Sequence, residues 1–164
     1  MATNVKALLE GHDSDANALG APGRDWLSYG GLRDLSAEVS TSLRGFGIGP
    51  SDRVAIVLAN GPEMASAFVT IAQAATTAPL NPAYREDEYK FYLEDLGAKA
   101  IVLADGYDGP ALAAAQALGL MVLRTFVAEG APAGSFTLSA DGATGDALPA
   151  SDPTDDDVAL ILHT

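Results

Sequence analysis

The sequence has no cysteine, two histidines, one tryptophan and few basic residues. Without cysteine there is no disulfide, no thiolate nucleophile and no cysteine-ligated zinc site. Nine Lys and Arg stand against 22 Asp and Glu, a net charge of −13, which argues against binding nucleic acid or an anionic membrane. No apolar stretch reaches the roughly 18 residues of a membrane-spanning helix, and the start lacks a signal-peptide pattern. We therefore expect a soluble, cytoplasmic protein with no nucleic-acid or membrane partner.

The length of 164 residues suits one ordinary domain, in which 48% of the residues are hydrophobic and 19% are charged. A chain of this length buries roughly 70% of its extended surface on folding. An apolar fraction near one half argues against wholesale disorder. The chain stops at residues 160–164, directly after an apolar run, where most proteins have a polar finish.

Two short elements are predicted near the N-terminus. Thr3 is the candidate N-cap of a helix that ends at Leu9. Residues 17–19 and 25–29 are expected to pair as a hairpin around a turn that contains glycine and proline.

A glycine-rich stretch, Gly45-Phe46-Gly47-Ile48-Gly49, is a candidate nucleotide loop. A dinucleotide-binding loop follows a strand, opens a helix and carries a third glycine three residues on. Here the stretch follows residues 31–46, whose apolar positions recur at helical spacing, and it precedes an apolar run. The better interpretation is a helix end, with Gly47 in the left-handed conformation, followed by a turn.

Short apolar runs and helical patterns then alternate along the chain. Asn60 is the predicted N-cap of the helix after the first run, with Glu63 completing a capping box. Such alternation predicts an α/β fold, a mostly parallel sheet with helices on both faces. Strands are expected at residues 54–58, 77–80, 100–103 and 120–123, and helices at residues 64–75, 85–96 and 109–118.

By composition the chain divides into three parts. Residues 1–127 form the expected α/β subdomain. Residues 128–157 are rich in Ala, Gly and Asp, and no Lys or Arg follows Arg124. They predict an acidic, solvated connector, with at most a weak strand at residues 135–138. Residues 158–164 return to the pattern of a buried strand.

The residues by themselves point to no catalytic group and no metal site. His12 lies beside two aspartates, but the only other histidine, His163, is distant in sequence. The acidic side chains at 155–157 alternate in direction if the chain is extended, so they do not converge on one ion. Neither histidine sits in a nucleophile–base arrangement.

Four aromatic residues gather around the predicted helix 85–96. Two of them must pack in the core, and the others line a groove or merely cover it. With few basic neighbours, stacking on nucleobases is not expected. The cluster consists of Tyr84, Tyr89, Phe91 and Tyr92.

Three segments of the sequence are informative together because of their order and spacing along the chain. Residues 48–60 read IGPSDRVAIVLAN, residues 78–84 read APLNPAY, and residues 156–164 read DDVALILHT. Together they resemble the adenylate-forming superfamily, which includes acyl-CoA synthetases, luciferases and nonribosomal-peptide adenylation domains. The third segment is similar to the strand that leads into that family's phosphate-binding loop. Within the superfamily the chain is most similar to oxalate–CoA ligases.

The resemblance implies an acid–CoA ligase that uses ATP and Mg²⁺ to activate a small carboxylic acid as an acyl-adenylate. The acyl group then passes to the thiol of coenzyme A. Thr164 matches the first hydroxyl position of the phosphate loop, and His163 matches the residue before it. These two are therefore the candidate ATP or acyl-adenylate contacts, and the expected protein partner is the rest of the same enzyme or a second copy.

The family's glycine-rich loop, adenine-facing aromatic residue, ribose-binding aspartate, C-terminal lysine and lid domain have no counterpart in these residues. The leading hypothesis is therefore an N-terminal fragment of an acyl-CoA synthetase that is inactive alone. One alternative is a free-standing, non-catalytic interaction module derived from that subdomain. Another is an unrelated doubly wound domain that binds a small ligand at the carboxyl ends of its strands.

Overall fold

The computed structural model describes residues 4–163. It has a two-stranded antiparallel hairpin and a five-stranded sheet, with helices between the strands. The elements are α1 (Val5–Leu9), β1 (Asn17–Leu19), β2 (Leu27–Ser28), α2 (Tyr29–Gly45), β3 (Arg53–Val57), α3 (Pro62–Ile71), β4 (Thr76–Pro79), α4 (Glu86–Leu96), β5 (Ala100–Ala104), α5 (Pro110–Ala117), β6 (Met121–Phe126) and β7 (Thr137–Asp141).

The strand order of the main sheet is β4-β3-β5-β6-β7. The first four strands are parallel, and β7 runs antiparallel to β6. The central strands are continuous apolar runs because both of their faces are covered, as parallel sheets require. The mostly parallel α/β fold predicted from the alternating pattern is confirmed.

A separate apolar core covers each face of the sheet. On one face α2 and α3 pack against side chains such as Val54, Ile56 and Val102. On the other face α4 and α5 pack against Ile101 and Leu103. Alternate residues of β3 and β5 therefore point into different cores, which is the period-two geometry of a strand.

The glycine-rich stretch after α2 ends that helix, as predicted. Gly47 adopts a φ of 79°, the left-handed conformation that favours glycine. The Ile48 N–H donates to the Leu43 carbonyl at 2.8 Å, and the Gly47 N–H donates to the Arg44 carbonyl at 3.0 Å. These bonds satisfy carbonyls that the helix end leaves free.

Helix α3 begins differently from the prediction. Its N-cap is Gly61, which makes no side-chain cap, so the capping role assigned to Asn60 is wrong. The Glu63 carboxylate instead accepts hydrogen bonds from Arg24 Nη1 at 2.5 Å and from the Gly134 N–H at 3.1 Å. The carboxylate that would complete a capping box is therefore bound by the Arg24 guanidinium and by a backbone N–H that is distant in sequence.

Helix α1 begins at an asparagine. Thr3, the predicted cap, lies outside the described residues. Asn4 Oδ1 accepts a hydrogen bond from the Ala7 N–H at 3.0 Å, which makes Asn4 the N-cap. Across residues 4–163 no helix has both the length and the apolar character that crossing a membrane requires.

The acidic stretch after β6 contributes a strand to the sheet. The weak strand expected at residues 135–138 lies slightly later, at Thr137–Asp141, and pairs along its whole length with β6. Further on, the N–H groups of Gly145 and Leu148 donate to the carbonyls of Phe46 and Arg44 at the end of α2. Much of this stretch is therefore held against the fold.

Residues 158–162 differ from the buried strand that their apolar pattern predicts. They form one isolated parallel bridge, between Leu160 and Thr77. Val158, Leu160 and Leu162 are 56%, 38% and 62% exposed. The segment lies along the outer edge of β4, so only one strand flanks it, and alternate side chains face solvent.

Candidate functional site

The terminal segment, residues 158–163, is fastened to β4 by two neighbouring threonines. The Thr77 N–H donates to the Ala159 carbonyl at 3.0 Å, and the Ile161 N–H donates to the Thr77 carbonyl at 2.9 Å. The hydroxyls of Thr76 and Thr77 donate to the carbonyls of Val158 and Ala159 at 2.7 and 2.6 Å. Both threonines are buried, so their hydroxyls are committed to these bonds.

His163, at the end of this segment, turns its ring onto helix α4. Its Nε2 lies 3.2 Å from Asp95 Oδ2. Its ring centroid is 4.7 Å from that of Tyr92, with the two rings tilted by 56°. The side chain is 18% exposed, and its Nδ1 is buried with no hydrogen-bond partner among the described residues. The His163 imidazole thus connects the terminal segment to helix α4.

The aromatic cluster forms the surface behind this imidazole. Tyr84 stacks on Tyr92 with centroids 4.9 Å apart and meets Tyr89 edge-on at 5.7 Å. Tyr89 is fully buried, and its hydroxyl donates to the Asn81 carbonyl at 2.8 Å. Phe91 is 62% exposed. The expectation that two rings lie in the core is therefore wrong: only Tyr89 is fully buried, and the half-buried rings of Tyr84 and Tyr92 pack against the edge of the core.

The environment shifts the pKa values of two of these phenols. Burial, together with Tyr107, Tyr84 and Glu88 nearby, raises the pKa of Tyr89 to about 12. The hydrogen bond with Tyr92 is the main cause that raises the pKa of Tyr84. Tyr84 and Tyr89 therefore stay neutral at physiological pH, and they contribute packing and hydrogen bonds.

Of the two predicted site residues, Thr164 lies outside the described residues and His163 is placed on α4. Sequence reasoning missed Asp95 as the partner of His163. The two residues are 68 positions apart, and no pattern in the chain links them. The segment that reads APLNPAY includes the end of β4 and leads into α4, and its Tyr84 stacks on Tyr92, the ring that His163 meets.

The other candidate positions have structural roles. The His12 ring stacks on Tyr29 at 4.0 Å, and its carbonyl accepts from Arg33 at 3.4 Å. Asp157 Oδ2 accepts from the Thr154 N–H at 2.7 Å, closing a turn. Within residues 4–163 no three His, Cys, Asp or Glu side chains are placed to hold a metal ion.

The turn before β3, in the segment that reads IGPSDRVAI, is held by one carboxylate. Asp52 Oδ2 accepts from the Gly49 N–H at 2.7 Å and from Lys99 Nζ at 2.9 Å. Partial burial opposes ionisation of Asp52, but these bonds outweigh it and lower the pKa of the carboxyl. The motif therefore fixes the entry to β3, a structural role.

Comparison with known proteins identifies the family. The family described as AMP-binding enzyme matches residues 8–164. The chain belongs to that family. Membership excludes the alternative of an unrelated doubly wound domain, and it agrees with the resemblance carried by the three segments.

Relatives of this AMP-binding chain include several CoA ligases. It is 33% identical over 153 residues to the oxalate–CoA ligase of Arabidopsis thaliana, covering 92% of this chain and 30% of the relative. It is 31% identical over 159 residues to a probable CoA ligase of Humulus lupulus, covering 92% of this chain and 29% of the relative. The chain thus spans less than a third of the relatives it matches.

A solved structure with the same fold is ATP-bound MatB from Rhodopseudomonas palustris. The match has a TM-score of 0.71 and 25% identity, and covers 99% of this chain and 32% of that protein. The described elements therefore correspond to about a third of that protein.

Proposed function

We propose that this chain is the N-terminal part of an ATP-dependent acid–CoA ligase that acts in the cytoplasm on a small carboxylic acid. In the first half-reaction a carboxylate oxygen attacks the α-phosphate of ATP, forming an acyl-adenylate and releasing pyrophosphate. In the second, the thiol sulfur of coenzyme A attacks the acyl carbon and AMP leaves. The similarity to oxalate–CoA ligases favours a short acid as the substrate.

The observation that carries this proposal is the family match over residues 8–164, by a chain that spans less than a third of its CoA-ligase relatives. The terminal segment supports it, because buried Thr76 and Thr77 hold that segment on β4. A loop that leaves such a segment brings backbone N–H groups and hydroxyls toward phosphate oxygens.

Thr164 and His163 are the proposed ATP or acyl-adenylate positions of the complete enzyme. Thr164 contributes its hydroxyl at the start of the loop, and His163 lies directly before it. The complete ligase is expected to use Mg²⁺ with ATP, and within residues 4–163 no three His, Cys, Asp or Glu side chains are placed to hold a metal ion by themselves. We assign no step of the reaction to a metal held by this part of the chain.

The three-part division of the chain carries over to the proposal. Residues 1–127 act as the N-terminal α/β subdomain, residues 128–157 as an acidic connector, and residues 158–164 as the approach to the phosphate loop. The connector contains β7, which pairs with β6, and its residues Gly145 and Leu148 donate backbone hydrogen bonds to the end of α2. Residues 1–164 alone lack most of the ATP-binding groups that the resemblance implies, so they are expected to be inactive without the rest of the enzyme.

Acid-dependent exchange of labelled pyrophosphate into ATP tests the proposal. The protein encoded by the reading frame, followed past codon 164, is compared with the purified 164-residue chain, using oxalate, malonate and benzoate. We expect exchange by the complete protein with at least one acid and none by the 164-residue chain. Exchange by the short chain would overturn its predicted inactivity.

A free-standing interaction module without catalysis is the second candidate. It is favoured by the exposed apolar row of Val158, Leu160 and Leu162 along the outer edge of the sheet. A stop codon directly after Thr164, together with no exchange by the natural protein, would replace the ligase proposal with this one.

A further inference from the structure

We infer that Asp95 and Tyr92 of α4 hold the His163 ring and thereby position the backbone that enters the ATP loop of the proposed ligase. This inference rests on the proposed function. In this role His163 is a positioning residue: it acts by fixing its own backbone, whether or not its ring also contacts ATP or the acyl-adenylate.

The backbone pairing between the terminal segment and β4 stops before His163. Among the described residues the last hydrogen bond between the terminal segment and β4 is that of the Ile161 N–H to Thr77. Leu162, the next residue, is 62% exposed, so its side chain does little to fix the chain. The contacts of the His163 side chain are therefore what set the chain direction just before Thr164.

The two side chains that hold His163 belong to a helix that is fixed by packing in the core. Helix α4 buries Tyr89, Leu93 and Leu96 in the core. Tyr92 is half-buried and stacked on Tyr84, so the ring that His163 meets is itself fixed. A residue that must set geometry works best when packing fixes its neighbours.

The contact of His163 with Asp95 leaves the other ring nitrogen of His163 buried without a hydrogen-bond partner among the described residues, which costs stability. With Nε2 facing a carboxylate, the neutral ring carries its proton on Nε2 and leaves a lone pair on Nδ1. That Nδ1 is buried and has no partner among the described residues, a destabilising condition that an apolar ring would avoid. Local arrangements that cost stability are expected where function requires them.

Kinetics of the complete ligase with three variants test the inference. His163→Phe keeps a ring on Tyr92 and removes the donor to Asp95, Asp95→Ala removes the acceptor, and His163→Gln restores a donor near Nε2. We expect the first two to raise KM for ATP roughly three- to tenfold, the effect of one lost hydrogen bond, with KM for coenzyme A unchanged. His163→Gln should recover most of the loss.

Glu94→Ala is the matched control, because Glu94 is the exposed acidic neighbour of Asp95 on the same helix. It should leave KM for ATP unchanged. Equal effects of the Glu94 and Asp95 variants, or a loss of active enzyme with no change in KM for ATP, would overturn the positioning role.

Hydrogen–deuterium exchange on the 164-residue chain separates this inference from the proposed function. We expect faster exchange across residues 159–163 in Asp95→Ala and His163→Phe, and unchanged exchange in Glu94→Ala. Unchanged exchange in all three overturns the anchor itself. If the wild-type enzyme shows no pyrophosphate exchange with any acid, the ligase proposal fails. The hydrogen–deuterium exchange result still decides whether Asp95 holds His163.

Discussion

Arg24 Nη1 lies 2.5 Å from Glu63 Oε1, and this pair joins the loop between β1 and β2 to the first turn of α3. Both side chains are mostly buried. Arg24 Nη2 also donates to the Pro132 carbonyl at 2.9 Å, and Glu63 accepts from the Gly134 N–H. Two charged side chains thus fasten residues 131–134 to the body of the domain.

We expect Glu63→Ala to lower the free energy of unfolding by about 3 kcal/mol, since it leaves a mostly buried guanidinium without its carboxylate. Glu63→Gln is the control, because its amide oxygen still accepts from Gly134, and its loss should be smaller. Urea unfolding monitored by the fluorescence of Trp26 measures both. Equal losses in the two variants would contradict this expectation, since they would show that the neutral hydrogen bonds contribute nothing without the charge; a Glu63→Gln variant as stable as the wild type would show that the ion pair adds nothing beyond them.

Because the pKa of the Asp52 carboxyl is lowered in the folded chain, we expect the free energy of unfolding to depend on pH. This pKa lies below the ordinary value of an aspartate, so the contribution of the carboxyl is present above that ordinary value and is lost as pH falls through the folded-state pKa. We expect Asp52→Asn to be less stable than the wild type by about 1 kcal/mol at pH 7, with the difference disappearing as pH falls through the folded-state pKa of Asp52.

Urea midpoints of the Asp52→Asn variant and the wild type between pH 2.5 and 7 test this. Exposed Asp105 offers a matched Asp→Asn control outside the Gly49 turn. A difference between Asp52→Asn and the wild type that stays constant down to pH 2.5 contradicts the mechanism.

Substitution of Gly47 by alanine is expected to cause a steric clash in addition to the strain of its left-handed φ. A Cβ at this position would lie 2.8 Å from the Asp146 carbonyl oxygen and 3.0 Å from Gly145 Cα. Gly119 has a similar φ of 66° and nothing within 4 Å of such a Cβ. We expect Gly119→Ala to cost about 1 kcal/mol and Gly47→Ala about 3 kcal/mol, because only the second displaces packed backbone.

Urea unfolding of these two alanine variants isolates the steric part. The expected excess for Gly47→Ala also tests whether residues 145–148 are docked on α2 in solution. Equal costs would mean that this part of the acidic stretch moves away freely.

Local and periodic signals were sufficient for most of the fold. Helix α4 and strands β3 and β5 lie within one residue of their predicted positions, because their patterns follow directly from one buried face or two. The role of Gly47 was readable because left-handed helix ends favour glycine. Each of these features is decided within a few residues of chain.

Features decided by distant partners were not readable. Glu63 has the spacing of a capping box, but Arg24 and Gly134 bind its carboxylate. The sequence pattern predicts only a weak strand at residues 135–138, and the position of β7 at Thr137–Asp141 follows from pairing with the edge of β6. His163 meets Asp95 across the chain fold, and the apolar pattern of residues 158–162 indicates burial without showing which neighbour supplies it.

The two faces of the terminal segment provide a matched pair of substitutions. Ile161 packs against the core on the α4–α5 side of the sheet, whereas Leu162 is 62% exposed. We expect Ile161→Ser to lower the free energy of unfolding by about 1–3 kcal/mol, since the side chain is only partly buried. Leu162→Ser should change it by no more than about 0.5 kcal/mol.

Amide exchange of Thr77 is the sharper readout, because its N–H donates to the Ala159 carbonyl of the segment. In Ile161→Ser the segment loses its apolar contact, so Thr77 should exchange faster while amides of β5 stay protected. Leu162→Ser should leave Thr77 unchanged. Faster exchange in both variants would mean that the outward side chains also hold the segment, and that Leu162 has a partner in solution.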